Sequence, residues 1–553
     1  MKRVAWFRRN GIAIETKFNR RAAAGLFGAG ALSLGLASEG CAIASEPVKS
    51  TGRLMFAGDH GIVGDGSIDE TARVQAFLDL CRDQGGWVAH FGTMRVRISG
   101  PLTTTVGIVF DPMGYGANES PGFYVTGSGY TALTVTGGIA DFNVTVAGYG
   151  EAKHGPDGSI IEDTRPKING IAFGGLDEKT PLVASVIRQA RAFKLAGFGI
   201  RHTTCYDCTF LAISVEMCGT ADRYAFEISG SAAFNCSESV WVRLQVEVAS
   251  CRAIYVHPNT LSCAISKLHS ERGTAHRRDP FWILGGACTY GAVRLAANNP
   301  RMTVARIIGQ ETTITNLRVD NVTEIPVEVD AGGGHIVFHN PVATLTSFPN
   351  QTGRIAVFGG AVEARRLGPG WSFFGVGLAH LEVGHMADGQ VTVSQCEIGM
   401  LMPQVGQTVA AVRIEGSTIH ASSFVNGNGR FASVELLSGT RCTSKPSLRV
   451  AYQTVTVDQS STIIGDVILD HGALRLMGTI DGDLTVVGPA QSLAGMDAVV
   501  TGAVTGWKPP EITGQLGPHR AGMFCKNLGT GNRERGAAGL GWIYSGEQWV
   551  TSG

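Results

Sequence analysis

The 553-residue chain carries 46 Lys and Arg against 46 Asp and Glu, so its formal net charge is zero. That balance excludes a strong electrostatic pull toward nucleic acid or an acidic membrane surface. At 44% apolar and 17% charged residues the composition is globular, and 75 glycines spread along the chain indicate many turns rather than disorder.

Residues 1–44 read as a targeting segment. Lys2, Arg3, Arg8, Arg9, Lys17, Arg20 and Arg21 make it basic, Ala22–Ala37 is apolar and rich in small residues, and Ala42-Ile43-Ala44 offers a cleavage site. The pair Arg20-Arg21 before the apolar run resembles a twin-arginine signal, although Asn19 and Ala22-Ala23-Ala24 flank it outside the full consensus. The expectation is an exported bacterial protein, periplasmic or extracellular, with no membrane span after signal removal.

Residues 45–116 hold a tight turn, Gly64-Asp65-Gly66. After it, Asp69 or Thr71 can cap a helix of about 12 residues whose apolar face is Val74, Phe77, Leu78 and Cys81. Gln84-Gly85-Gly86 ends that helix and Trp87–His90 begins a strand. This order resembles the N-terminal cap of the pectate-lyase-like superfamily (the pectin lyase fold), which includes pectin-degrading enzymes and tailspike-type polysaccharide depolymerases. His90-Phe91-Gly92-Thr93-Met94 departs from the Pro-x-Gly-x-Tyr usual there. The resemblance implies an all-β, right-handed, single-stranded parallel β-helix closed by a short N-terminal helix. It also implies a polysaccharide partner and, by analogy with tailspikes, a homotrimer. Asp59, Asp65 and Asp69 read as turn and cap residues.

Residues 117–345 are the expected β-helix body, with short Val-, Ile- and Thr-rich runs separated by Asn and Gly turns. Two runs in Val240–Gly273 superpose at an offset of 24 residues, a solenoid period. In Trp241–Glu247, Val242, Leu244 and Val246 alternate with Arg243, Gln245 and Glu247. In Ala264–Glu271, Ala264, Ser266 and Leu268 alternate with Lys267, His269 and Glu271. The offset puts Arg243 over Lys267, Gln245 over His269 and Glu247 over Glu271. Among the 12 cysteines, Cys208, Cys236 and Cys263 stand near the coil period and read as a stack inside the solenoid. Cys205-Tyr-Asp-Cys208 is the one CxxC and lacks a second pair at zinc spacing.

Residues 346–450 continue as short strands without a clear period. Residues 451–506 repeat at 17, with Gly465-Asp466-Val467 echoed by Gly482-Asp483-Leu484, and resemble a narrower β-solenoid of the bactofilin or hexapeptide type. Residues 507–553 read as a linker followed by a small C-terminal β module with Phe524, Trp542, Tyr544 and Trp549.

Chemistry is expected on the outward face. Val215-Glu216 aligns with Val246-Glu247, giving a ladder of Glu216, Glu247 and Glu271. Neighbouring rungs lie about 4.8 Å apart, and a carboxylate pair at about 5–5.5 Å is what a retaining glycosidase uses. Like charges this close should raise one of the two pKa values. The candidate catalytic residues are therefore Glu247, Glu271, His269 and Glu216. Arg243, Lys267, Arg272 and Trp241 are candidate substrate-binding residues. The same set serves a lyase, with His269 or Lys267 as base and Arg243 or Arg272 neutralising a uronate. No dense Asp cluster invites calcium, so neither a metal nor another cofactor is expected. The alternative is a non-catalytic β-helix that binds glycan or forms part of an envelope.

Overall fold

A computed structural model describes residues 53–506 apart from 112–119, 156–159, 176–179, 221, 230–234, 248–251, 274–281, 298–304, 321–326, 349–351, 385–388, 488–490 and 495–497. Beyond residue 506 it describes the backbone of 524–527, 541–544 and 549–551. The expected targeting segment at 1–44 and the expected linker at Trp507–Pro510 lie outside the described residues.

The chain winds as a parallel β-helix, the architecture the cap resemblance implies. Strand after strand pairs in parallel with the strand one coil earlier and one coil later. One face runs Thr131–Val135, Asn169–Phe173, Ile200–His202, Tyr224–Ile228, Arg252–Val256 and Trp282–Gly285. A second runs Phe142–Ala147, Val186–Phe193, Thr209–Glu216, Val240–Glu247, Leu261–Gly273 and Ala287–Ala297. Each inner face is apolar, and the buried side chains form one continuous core from Ala57 to Val500.

The cap forms as its residues dictate. The helix spans Thr71–Asp83 and buries Val74, Phe77, Leu78 and Cys81 against the first coil. Burying four such side chains is worth roughly 1.5–3 kcal/mol each, far more than helix propensity supplies. Asp69 Oδ1 accepts from Thr71 N at 3.2 Å and Oγ1 at 2.6 Å, which fixes the helix entry. Glu70 adds a tie the sequence did not flag. Its buried carboxylate accepts the amides of Val63 (2.7 Å) and Gly64 (3.0 Å), clamping the glycine turn onto the helix start. Gly64 has φ +65°, and a Cβ there would lie 2.5 Å from Met94 Cβ, so glycine is required.

Further along, one turn position recurs coil after coil in the left-handed conformation. Asn316, Asn340, Gly359, Gly375, Gln395 and Gly416 all hold φ between +51° and +63°. Each donates its amide to the next coil, as Asn316 does to His339 O and Asn340 to Phe358 O, both at 2.8 Å. Asn and Gly tolerate that conformation best, which is why they punctuate the strands.

Alternation within the second face differs from the simple reading. Trp241, Leu244 and Val246 point inward while Val242 is exposed. Likewise Cys263, Ile265, Leu268 and Ser270 are inside, whereas Ser266 and Lys267 are exposed. The strand turns a corner at Val242-Arg243, repeated at Ser266-Lys267, so the period-2 pattern slips by one residue there. That corner places Ile265, which broke the sequence alternation, in the core.

The cysteine column is corrected too. Tyr206 bridges Ser237 in parallel, which sets Cys236 beside Cys205. Thr209↔Val240↔Ala264 registers set Ser239, not Cys236, between Cys208 and Cys263. The nine cysteine side chains among the described residues are all buried.

Coil offsets vary along the chain, shortening past residue 335 and returning to 21 and 22 at Gln390↔Ala411 and Val412↔Val434. Offsets of 24 at Glu311↔His335 fall to 19 at His335↔Arg354 and 16 at Ile355↔Trp371. At Ile463↔Ile480 and Val467↔Leu484 the offset is 17, the repeat seen in the sequence. Asp466 Oδ1 there accepts Asp483 N (3.0 Å), and Asp483 Oδ1 accepts Ala503 N (2.6 Å), so both are turn residues. The C-terminal strands Phe524–Asn527, Gly541–Tyr544 and Trp549–Thr551 pair antiparallel, forming a small β module.

Candidate functional site

The ladder expected from the sequence is in register. Glu216 pairs with Glu247 across Thr209–Glu216 and Leu244–Glu247, and Glu247 pairs with Glu271 across the next step. Gln245 stands beside His269 in the same register. All four ionisable side chains are half-buried on the outer face, at 22–28% exposure.

Their contacts separate them. Glu216 is bound to Arg191 from the preceding coil at 3.2 Å. Glu247, His269 and Glu271 form a tighter group. His269 Nε2 lies 3.4 Å from Glu271 Oε2 and 3.8 Å from Glu247 Oε1. One ligand atom from each of the three falls within 4.8 Å of the others. Gln245 Nε2 donates to Glu247 Oε1, and Arg243 donates to Gln245 Oε1 at 2.7 Å, so a relay of side chains orients Glu247 from the coil corner.

Beside this group lies an open groove of about 450 Å³ lined by Arg243, Gln245, Lys267, His269, Arg294 and Arg318, with Leu268, Ala292, Val293 and Asn316. Ala292 pairs with Lys267, and its short side chain leaves the depression. Asp320 holds Arg294 (2.7 Å) and Arg318 (2.5 Å) side by side. Among the described residues Lys267 has no ion-pair partner. Four cations, Arg243, Lys267, Arg294 and Arg318, thus face the groove, with Asp320 pairing two of them and Glu247 and Glu271 at its edge.

Arg294, Asn316 and Arg318 were not singled out in the sequence. The signal was present, because the same offset continues from His269 to Arg294 to Arg318. Trp241 is corrected. It is fully buried, stacks on Phe210 at 5.1 Å and donates its indole N–H to His202 Nε2 at 3.2 Å, so it cannot contact a ligand on the outer face. The Arg272 side chain and the His276–Asp279 cluster lie outside the described residues.

No family model matches the chain. A curated protein, the anti-sigma-W factor RsiW of Bacillus subtilis (strain 168), is 38% identical over 80 residues, 14% of this chain and 36% of that protein. The chain therefore spans about a third of the length of that relative. Solved structures similar to it include the N-terminal fragment of bacteriophage phi29 gene product 12, at 11% identity and TM-score 0.33, covering 90% of this chain and 95% of that one. Geobacillus virus E2 ORF18 gives 9% identity and TM-score 0.27, covering 98% and 81%. The tailspike gp49 from Acinetobacter baumannii bacteriophage Fri1, a capsular polysaccharide depolymerase, gives 11% and 0.24, covering 81% and 63%. The protein's own strand register defines it as a parallel β-helix. Its outer face carries a carboxylate–histidine–carboxylate group beside a basic groove.

Proposed function

We propose that this protein is an exported enzyme that binds an acidic polysaccharide in the groove and cleaves it at Glu247, His269 and Glu271. The observation that carries the reading is the in-register pair Glu247 and Glu271, with His269 between them, at the edge of a groove dominated by cations. A groove open along several coils suits a polymer rather than a small molecule. Arg243 and Lys267 would hold the sugar carboxylates, and a guanidinium or ammonium next to a uronate also stabilises charge that develops on it during reaction.

The separation within the pair is close to the roughly 5–5.5 Å of retaining glycoside hydrolases, in which one carboxyl attacks the anomeric carbon and the other protonates the leaving oxygen. In an elimination, His269 would instead take the proton next to the uronate carboxylate, and the flanking glutamates would stabilise the imidazolium. Glu216 belongs to the support, since Arg191 neutralises it. The reading includes assembly as a homotrimer, to be read from the solution mass.

The test is a screen of the purified protein against bacterial and plant polysaccharides, read by reducing ends and by near-ultraviolet absorbance. Turnover with absorbance indicates the lyase, and without it the hydrolase. Glu247→Gln and Glu271→Gln should each slow turnover by about 10²–10⁴-fold with the fold intact by circular dichroism. Unchanged turnover in both variants would remove the site. No turnover on any polymer, with retained binding, would leave a glycan-binding β-helix.

A further inference from the structure

Two pairs of cysteines take no part in the groove or in the carboxylate group, and they are placed in a way packing alone does not require. Cys263 and Cys288 are direct partners in the parallel register of Leu261–Gly273 and Ala287–Ala297. Cys205 and Cys236 are neighbours in the same sense. Ser237 N donates to Cys205 O at 3.0 Å, and the following residues, Tyr206 and Ser237, bridge in parallel. In both pairs the side chains point into the core, at 0–3% exposure.

In-register residues on neighbouring parallel strands have Cα atoms about 4.8 Å apart. Disulfides span Cα separations of about 4.4–6.8 Å. Cys208, Cys396 and Cys442 lack this arrangement. Cys208 has Ser239 as its rung neighbour, Cys442 sits against Ser422 (3.2 Å), and Cys396 sits against Ser417 N-terminal to the next strand, with Ser417 Oγ accepting its amide at 3.0 Å.

We propose that Cys205–Cys236 and Cys263–Cys288 are disulfide sites that staple consecutive coils. The first joins the coils that carry Glu216 and Glu247. The second joins the coils that carry His269 and Arg294. The two bridges therefore bracket the rungs on which the candidate site is built. Bridge formation consumes a disulfide oxidant, a small molecule or a protein dithiol oxidase. One cysteine thiolate attacks the oxidant's disulfide and releases its first thiol. The second cysteine then displaces the other oxidant thiol from the mixed disulfide. Each bridge removes two hydrogens from the chain and delivers them to the oxidant. Because the folded coils bury all four sulfurs, oxidation belongs to the folding stage. The finished bridges should then resist reductant until the coils unfold.

The experiment is to produce the full chain in an oxidising and in a reducing compartment, alkylate it in denaturant and map peptides without reduction. From the oxidising compartment the proposal expects two linked peptide pairs, 205 with 236 and 263 with 288. The intact mass should be lower by four hydrogens, while Cys208, Cys396 and Cys442 are alkylated. The urea midpoint of that sample should exceed that of the reduced sample, and the Cys263→Ser, Cys288→Ser double variant should lose part of the difference. Alkylation of Cys205, Cys236, Cys263 and Cys288 after oxidative folding, or linkage of any of them in another pairing, would overturn it. The mapping uses the wild-type chain, so a variant that folds poorly does not decide the outcome.

Discussion

The wide coils around residues 187–330 and the narrow coils around 434–487 use the same parallel ladder but enclose different interiors. Wide coils, at offsets of 22–31 residues, are filled by Phe210, Trp241, Trp282 and Tyr290, with His202 among them. Narrow coils, at offsets of 17–21, are filled by Val434, Val455, Val457, Leu474, Leu476 and Leu484. Strand length does not separate them: Leu261–Gly273 and Ala287–Ala297 run for 13 and 11 residues in the wide part, and Arg441–Ala451 and Thr462–Asp470 for 11 and 9 in the narrow part. A long strand offers Lys267, His269 and Glu271 in a row on one outward face, and stacking such strands makes a grid of side chains. In the wide part that grid brings Arg243, Lys267, His269, Arg294 and Arg318 to one groove.

The largest break in that comparison is Trp241→Ala. Emptying the widest core position should cost about 3–5 kcal/mol. The lost indole N–H leaves His202 Nε2 without its donor, adding about 1–3 kcal/mol. Leu474→Ala in the narrow part removes packing only and should cost about 2–5 kcal/mol. Urea denaturation of the two variants checks the difference, and equal costs would mean that the aromatic column is not what holds the wide coils.

Next is pH. Burial pushes the His202 imidazole down from 6.5 to about 3, with the Glu227 backbone carbonyl pulling the other way. The folded protein thus keeps His202 neutral while the unfolded chain takes up a proton near pH 6.5. Stability from this group is fully present above about pH 6.5 and is lost as pH falls toward 3. The loss is on the order of 4–5 kcal/mol at the low end. His202→Phe should flatten the pH dependence between 6 and 4, measured as the urea midpoint against pH. A flat wild-type profile would show that His202 is not held neutral.

At the cap, Gly64→Ala should cost about 1–3 kcal/mol, because φ +65° suits few side chains and the new Cβ would displace Met94. A thermal scan reads the effect. An unshifted midpoint would show that the turn can rearrange without loosening the helix.

These positions also show what the sequence could reveal. The cap was legible because a glycine turn, a capping Asp and the spacing of Val74, Phe77, Leu78 and Cys81 are local signals. The Glu216–Glu247–Glu271 register was legible because a coil period carries residues of one kind to the same place. The corner at Val242-Arg243 was not, since a one-residue slip in alternation looks like noise in a single strand. Hence Trp241 was read as available to substrate when it is buried. Glu70 and His202 were equally hidden, because each is defined by partners 6 to 39 residues away.

The smallest effect is expected at the narrow end. Asp466→Ala removes one acceptor for the amide of Asp483, and Asp483→Ala one for the amide of Ala503. Both sites are exposed, so water replaces the lost bond and each change should cost about 0.5–1 kcal/mol. Asp466→Asn keeps an acceptor oxygen at the same place and should cost less than Asp466→Ala. Urea midpoints of the three variants separate these cases. If Asp466→Ala proved as damaging as Trp241→Ala, the narrow coils would be held by their turn ladder rather than by their aliphatic interior. The contrast between the two halves would then lie in how their turns are tied, not in what fills them.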